Sequence, residues 1–196
     1  MEFKFIFKTL KMKYFCLILL AWLNVNQTGP GLYVCKNAMI TLFSSAPIED
    51  IKGVSQTGVS VFNAANGELD FSVNIRSFKF DKAVMQEHFN SDYMESDKYP
   101  KAIFKGKMQE TVDLTKDGNY PVTVTGDLTL HNITQKRTIK GKIDIKGGVV
   151  TMTSEFMVKN ADYHIDIPTI LFHHIAESIQ ISVSAAYIPY KNNPPK

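Results

Sequence analysis

Cysteine is scarce in this sequence: there are two, Cys16 and Cys35. Cys16 lies in an apolar N-terminal run, so a chain cleaved beyond it keeps only Cys35 and forms no intramolecular disulfide, even in an oxidising compartment. Cys35 is then expected as a small apolar filler in the first strand. Long apolar runs are missing too. The longest, from Tyr14 to Leu23, is about ten residues, the length of a signal-peptide core and too short to cross a bilayer as a helix. Lys13-Tyr14-Phe15 before Cys16 lacks the leucine and small residues of a lipidation box, which argues against a lipoprotein. An excess of either charge is absent. The formal +3 includes Lys4, Lys8, Lys11 and Lys13, so the remainder is near neutral or slightly negative and carries no nucleic-acid footprint. The glycines stand singly or as Gly147-Gly148 with no helix behind them, which excludes a phosphate loop. No Gly-X-Ser-X-Gly elbow is present for a serine nucleophile.

What is present begins with targeting. The lysines followed by the apolar run read as a signal peptide over residues 1–28, with Met12 as an alternative start. Residues 29–190 then form one domain, and the Pro-rich residues 191–196 a frayed tail. The expected location is outside the cytoplasm, periplasmic or secreted.

Period-two alternation dominates the domain. Leu69, Phe71, Val73 and Ile75 alternate with Asp70, Ser72, Asn74 and Arg76. The same pattern runs through Ala102–Met108, Val122–Leu130, Thr138–Ile145, Val150–Val158 and Ile179–Tyr187, after two β-rich stretches at Tyr33–Ser45 and Val54–Phe62. Asn66-Gly67, Lys116-Asp117-Gly118-Asn119, His131-Asn132 and Gly147-Gly148 supply turns. About eight long strands at hairpin spacing predict an all-β fold, an extended eight-stranded antiparallel barrel. One stretch breaks the period. Between Phe78 and Met108, Val84, Met85, His88 and Phe89 fall on one helical face, Asp81 is placed to cap, and Tyr99-Pro100 ends the segment. This short helix is expected to cap or flank the barrel, as a gate or as plain cover.

Two blocks within this pattern carry a resemblance. Met85-Gln86-Glu87-His88-Phe89 with Tyr93-Met94-Glu95-Ser96-Asp97-Lys98-Tyr99-Pro100, and Val124-Thr125-Gly126-Asp127-Leu128-Thr129-Leu130-His131-Asn132-Ile133-Thr134, resemble the centre of the YceI-like family, as does Asp162-Tyr163-His164-Ile165. The likeness spans essentially the whole mature chain. It implies a lipocalin-like exported barrel whose cavity takes a polyisoprenoid chain, such as the tail of a quinone or a prenylated phenol. One position departs: family members often carry Gly after Asp-Tyr, where this chain has His164.

The residues expected to line such a cavity are Phe71, Val73, Phe80, Met85, Phe89, Phe104, Val124, Leu128, Ile143, Met152, Phe156, His164, Phe172, Ile181 and Val183. The implied partner is an apolar lipid chain, with a membrane surface for exchange and a homodimer as further candidates, and no nucleic acid. No cofactor is expected beyond a bound isoprenoid lipid or quinone. Alternation alone leaves a second reading open, in which the same side chains make a dry, filled core of a stress or interaction protein. A third reading, a metal enzyme, would draw on His164 and His173-His174. Adjacent strand residues point to opposite faces, so the His pair is poor ligand geometry. No nucleophile or acid–base pair stands out, so catalysis is not expected.

Overall fold

The alternating stretches become strands in the computed structural model, which describes residues 31–45, 50–167 and 175–190. Nine strands run in chain order: β1 (Leu32–Ser44), β2 (Ile51–Asn63), β3 (Glu68–Asn74), β4 (Lys79–Phe80), β5 (Lys101–Met108), β6 (Gly118–Leu130), β7 (Ile133–Lys146), β8 (Val149–Lys159) and β9 (Ser178–Pro189). All pairings are antiparallel. The order β1-β9-β8-β7-β6-β5-β3-β2 closes on itself through β1–β2, so eight long strands make a barrel, and the two-residue β4 adds to β2. The expected eight-stranded barrel with one short helix is therefore the fold. Strands of up to 14 residues match a tilted barrel wall better than a sandwich.

Turn chemistry follows the sequence. His131 (φ 51°) and Asn132 (φ 62°) join β6 to β7 as a two-residue hairpin with both φ positive, the handedness that matches strand twist. Gly106 and Gly126 face each other across β5 and β6. A Cβ at Gly126 would lie 2.3 Å from the Lys105 carbonyl oxygen, so only glycine lets the two backbones approach there.

The helix α1 (Ala83–His88) continues as a π-helical turn over Phe89–Tyr93. Its N-cap is Lys82 rather than Asp81, and no side chain caps it; Asp81 lies one residue too early. The chain leaves the helical turn at Met94, and Glu95 takes φ 40°, so the segment ends before Tyr99-Pro100. Arg76 and His131 pin this tail. Arg76 forms an ion pair with Asp97. His131 Nε2 lies 3.0 Å from Glu95 Oε2, its Nδ1 lies 3.2 Å from the Tyr163 carbonyl oxygen, and the Tyr99 ring stands edge-on to it at 4.4 Å.

His164 is exposed and adopts φ 52°, just after the 3-10 turn Asn160–Tyr163. A left-handed residue is where glycine costs least. The departure noted in the sequence is thus a histidine in a glycine-type conformation.

Candidate functional site: a half-open barrel

Burial divides the barrel into two halves. Toward the end formed by Leu32, Asn63 and Lys146, inward side chains are packed: Cys35, Phe62, Ile145, Val150 and Tyr187 are all nearly inaccessible, and Ile143 is fully so. Tyr187 and Ser60 share a buried hydrogen bond of 2.7 Å, and the Ser60 hydroxyl contacts the Asp70 carbonyl oxygen at 2.8 Å. Burial pushes the Tyr187 phenol far above its ordinary pKa, only partly opposed by Ser60, so it stays neutral. This half is a filled core.

Toward the other end, several inward side chains are only half-buried, Leu42, Phe71, Met152, Phe156, Ile181 and Val183, beside buried ones such as Val73, Ile75 and Phe78. They face a cavity of about 450 Å³, within the range of small-molecule sites. The register explains its position. Phe80 pairs with Gly53, Gly53 with Leu42, Leu42 with Ile181, and Ile181 with Phe156, forming one tier of the barrel. The helix α1 stands by that tier. Phe89 packs against Phe78 and Phe80 at ring-centroid distances of 5.8 and 4.8 Å. Val84, Met85, His88 and Phe89, the predicted apolar face, all border the cavity. None of the α1 residues is fully buried, and Val84 is half exposed. The helix therefore lies across an open mouth instead of plugging a packed end.

Most of the predicted lining is brought together here: Phe71, Val73, Phe80, Met85, Phe89, Phe104, Val124, Leu128, Met152, Phe156, Ile181 and Val183. Ile143 is not; it belongs to the packed half. His164 is not either, since it points to solvent on a loop. Phe172, with His173 and His174, lies outside the described residues. Sequence reasoning missed Ile40, Ile75, Phe78, Tyr93, Ile139 and Ile165 as lining. Ile40 and Ile139 could have been found by extending the alternation along their strands. Tyr93 and Ile165 sit where the period is broken and carry no such signal.

Among the described residues the lining includes no Asp or Glu and a single Lys or Arg, Lys142. The polar side chains Ser44, Asn160 and Tyr187 of the lining are engaged within the protein, whereas Lys142, Thr153 and Ser154 stand at its edge. Among the described residues no group of three His, Cys, Asp or Glu is placed to hold a metal. The arrangement can hold an apolar chain without stranding polar groups.

A YceI-like domain pattern matches residues 38–187, which contain nearly all of the barrel and its cavity. The chain belongs to the YceI-like domain family. Solved structures share the fold of this YceI-like barrel. A polyisoprenoid binding domain from Saccharophagus degradans superposes with a TM-score of 0.70 at 14% identity, covering 83% of this chain and 100% of that one. Burkholderia cenocepacia BcnA gives 0.65 at 15% identity, covering 76% and 95%. A Campylobacter jejuni YceI protein gives 0.58 at 19% identity, covering 74% and 88%. In sequence, the UPF0312 protein VPA0850 of Vibrio parahaemolyticus is 32% identical over 81 residues, 41% of this chain. That match spans only 40% of the relative's length.

Proposed function

We propose that this protein is an exported carrier that holds an apolar chain, a polyisoprenoid or the tail of a quinone, in the open half of the barrel. The observation that carries this reading is the contrast between halves: the same inward alternation is packed at one end and borders an apolar cavity, free of Asp and Glu among the described residues, at the other. The name of the Saccharophagus degradans neighbour supports the ligand class. A filled scaffold would account for the packed half alone.

Energetics favour carriage over permanent storage. Moving one five-carbon isoprene unit from water gains at most about 3–4 kcal/mol, from roughly 0.8 per buried CH₂. The ligand's real alternative is a bilayer, which is equally apolar, so the net gain per unit is small and the chain is exchangeable. Met85 at the mouth and Met152 in the wall suit a slender, variable chain because thioethers repack easily. The reading assigns binding and no catalytic step.

The test is transfer of a fluorescent polyprenol from donor to acceptor vesicles. The protein should accelerate transfer in proportion to its concentration. Transfer no faster than with a lipid-free control protein would refute the carrier role. Export rests on the 1–28 segment, and the N-terminal mass of protein isolated from its host checks it: an intact leader in the released protein would contradict it.

A further inference from the structure

The barrel wall is not continuous around the cavity. β6 and β7 pair along their whole length, from Gly118–Ile145 to Leu130–Ile133. β7 and β8 pair only from Lys146–Val149 to Gly141–Ser154. Beyond that point β7 continues from Lys140 back to Ile133 and β8 from Glu155 on to Lys159, with no ladder between them. The unpaired stretch lies in the cavity half, because Phe156 and Ile139 border the cavity while Ile143 and Ile145 belong to the packed end. Arg137 bridges the split: its guanidinium donates to the Met157 carbonyl oxygen and lies 3.6 Å from the Asp162 carboxylate. Gln135 Nε2 donates to the Asp162 carbonyl oxygen at 3.0 Å.

The split begins where the wall is thinnest. Gly141 carries no side chain, and a Cβ there would lie 2.6 Å from the Thr153 carbonyl oxygen. Gly141, Lys142, Thr153 and Ser154 border the cavity on the inside and a shallow groove on the outside. Lys142 and Thr153 have the outward strand parity and Ser154 the inward one, on the last two paired rungs before the split. The outer groove adds Lys140 and one acid, Glu155. The side chains of Lys142, Thr153 and Ser154 make no hydrogen bond or ion pair with other described residues. Among the described residues they are thus donors without partners beside an otherwise apolar space.

We propose that the start of this split is a head-group subsite: a chain ligand lies in the cavity and its acidic head, carboxylate or phosphate, leaves through the split to Lys142 and the Thr153 hydroxyl on the outer face. The inference rests on the chain-binding reading above and specifies its ligand. An acid gains a charge-assisted bond from the lysine and accepts from the Thr153 hydroxyl; a neutral alcohol gains only the weaker part. On the same outer face Lys140 and Glu155 carry opposite charges, and Asp144 lies two residues along β7 from Lys142.

The experiment compares three probes of equal chain length, hexadecanoic acid, hexadecyl phosphate and hexadecanol, on wild type and Lys142→Glu. Lys142 is exposed, so the variant is expected to fold, and unchanged thermal unfolding verifies it. Wild type should bind one or both acids more tightly than the alcohol, and Lys142→Glu should weaken the acids about tenfold while moving the alcohol by less than about twofold. Whether the carboxylate or the phosphate loses more identifies the head. Equal affinity for all three in wild type, or an equal loss for all three in the variant, overturns the subsite. Binding of none of the three by wild type overturns the chain-binding reading and the subsite with it.

Discussion

Enlarging an inward side chain should have opposite effects in the two halves of this barrel. Val183 on β9 borders the cavity and is half-buried; Ile143 on β7 is inward too, but fully buried in the packed half. Val183→Phe adds about four carbons to open apolar space. Burying part of that surface should stabilise the ligand-free protein by about 1–2 kcal/mol, from roughly 0.8 per buried CH₂ less the rotamer entropy lost. Ile143→Phe has no space to enter and should cost about 1–3 kcal/mol, the usual range for overpacking. For a chain of this size each kcal/mol moves Tm by about 2–4 °C. Val183→Phe should therefore melt a few degrees above wild type, and Ile143→Phe a few degrees below. Delipidated protein should be compared by denaturant unfolding and by calorimetry. The same Val183→Phe protein should bind apolar chains more weakly, because its ring occupies their space. A loss of stability in Val183→Phe equal to that of Ile143→Phe would refute the division into packed and open halves.

Other expectations are local. Gly126→Ala puts a Cβ against the Lys105 carbonyl oxygen and Gly106 Cα, both backbone atoms, and should cost about 1–3 kcal/mol in denaturant unfolding; a neutral result would mean that β5 and β6 can move apart freely. His164→Gly relieves a left-handed histidine with an exposed side chain and should gain about 0.5–1 kcal/mol; a destabilised variant would show that the imidazole makes a stabilising contact. The Asp113 carboxyl, which accepts from the Thr115 hydroxyl and amide and faces Lys116, should titrate at about 2 by NMR. Because that folded value is depressed, its contribution to the β5–β6 loop is present above the ordinary carboxylate pKa and fades as pH falls toward 2. Thr115→Val should return the midpoint toward the ordinary range, and an unmoved midpoint would point to the Thr115 amide and Lys116 instead.

The barrel was legible because its walls obey one simple rule. Leu69, Phe71 and Val73 alternate with polar residues, as do the stretches that become β5 to β9, and the break in period from Val84 to Phe89 marks α1. Filling was not legible. Ile143 and Phe156 occupy equivalent inward positions on neighbouring strands, and nothing in their spacing says that one is packed and the other faces space. The split between β7 and β8 was equally hidden, since Thr138 and Lys140 keep their alternation on the β6 ladder where β8 no longer bonds to them. Asp81 looked like the better cap by residue type, yet the helix starts after Lys82, because cap preference is weaker than the packing of Phe80 and Phe89 at the mouth. The His131–Glu95 contact joins two residues far apart in the chain, both with positive φ, and no local pattern foretells such a pair.

The central claim is that the open half of the barrel holds an apolar chain. It is tested most directly by native mass spectrometry of the protein purified from its own host without detergent, followed by solvent extraction. The account predicts a bound species near one per protein that extracts as a long-chain or isoprenoid lipid and is absent from Val183→Phe. Protein that is ligand-free in repeated preparations, and that takes up no chain when lipid is offered, would contradict it.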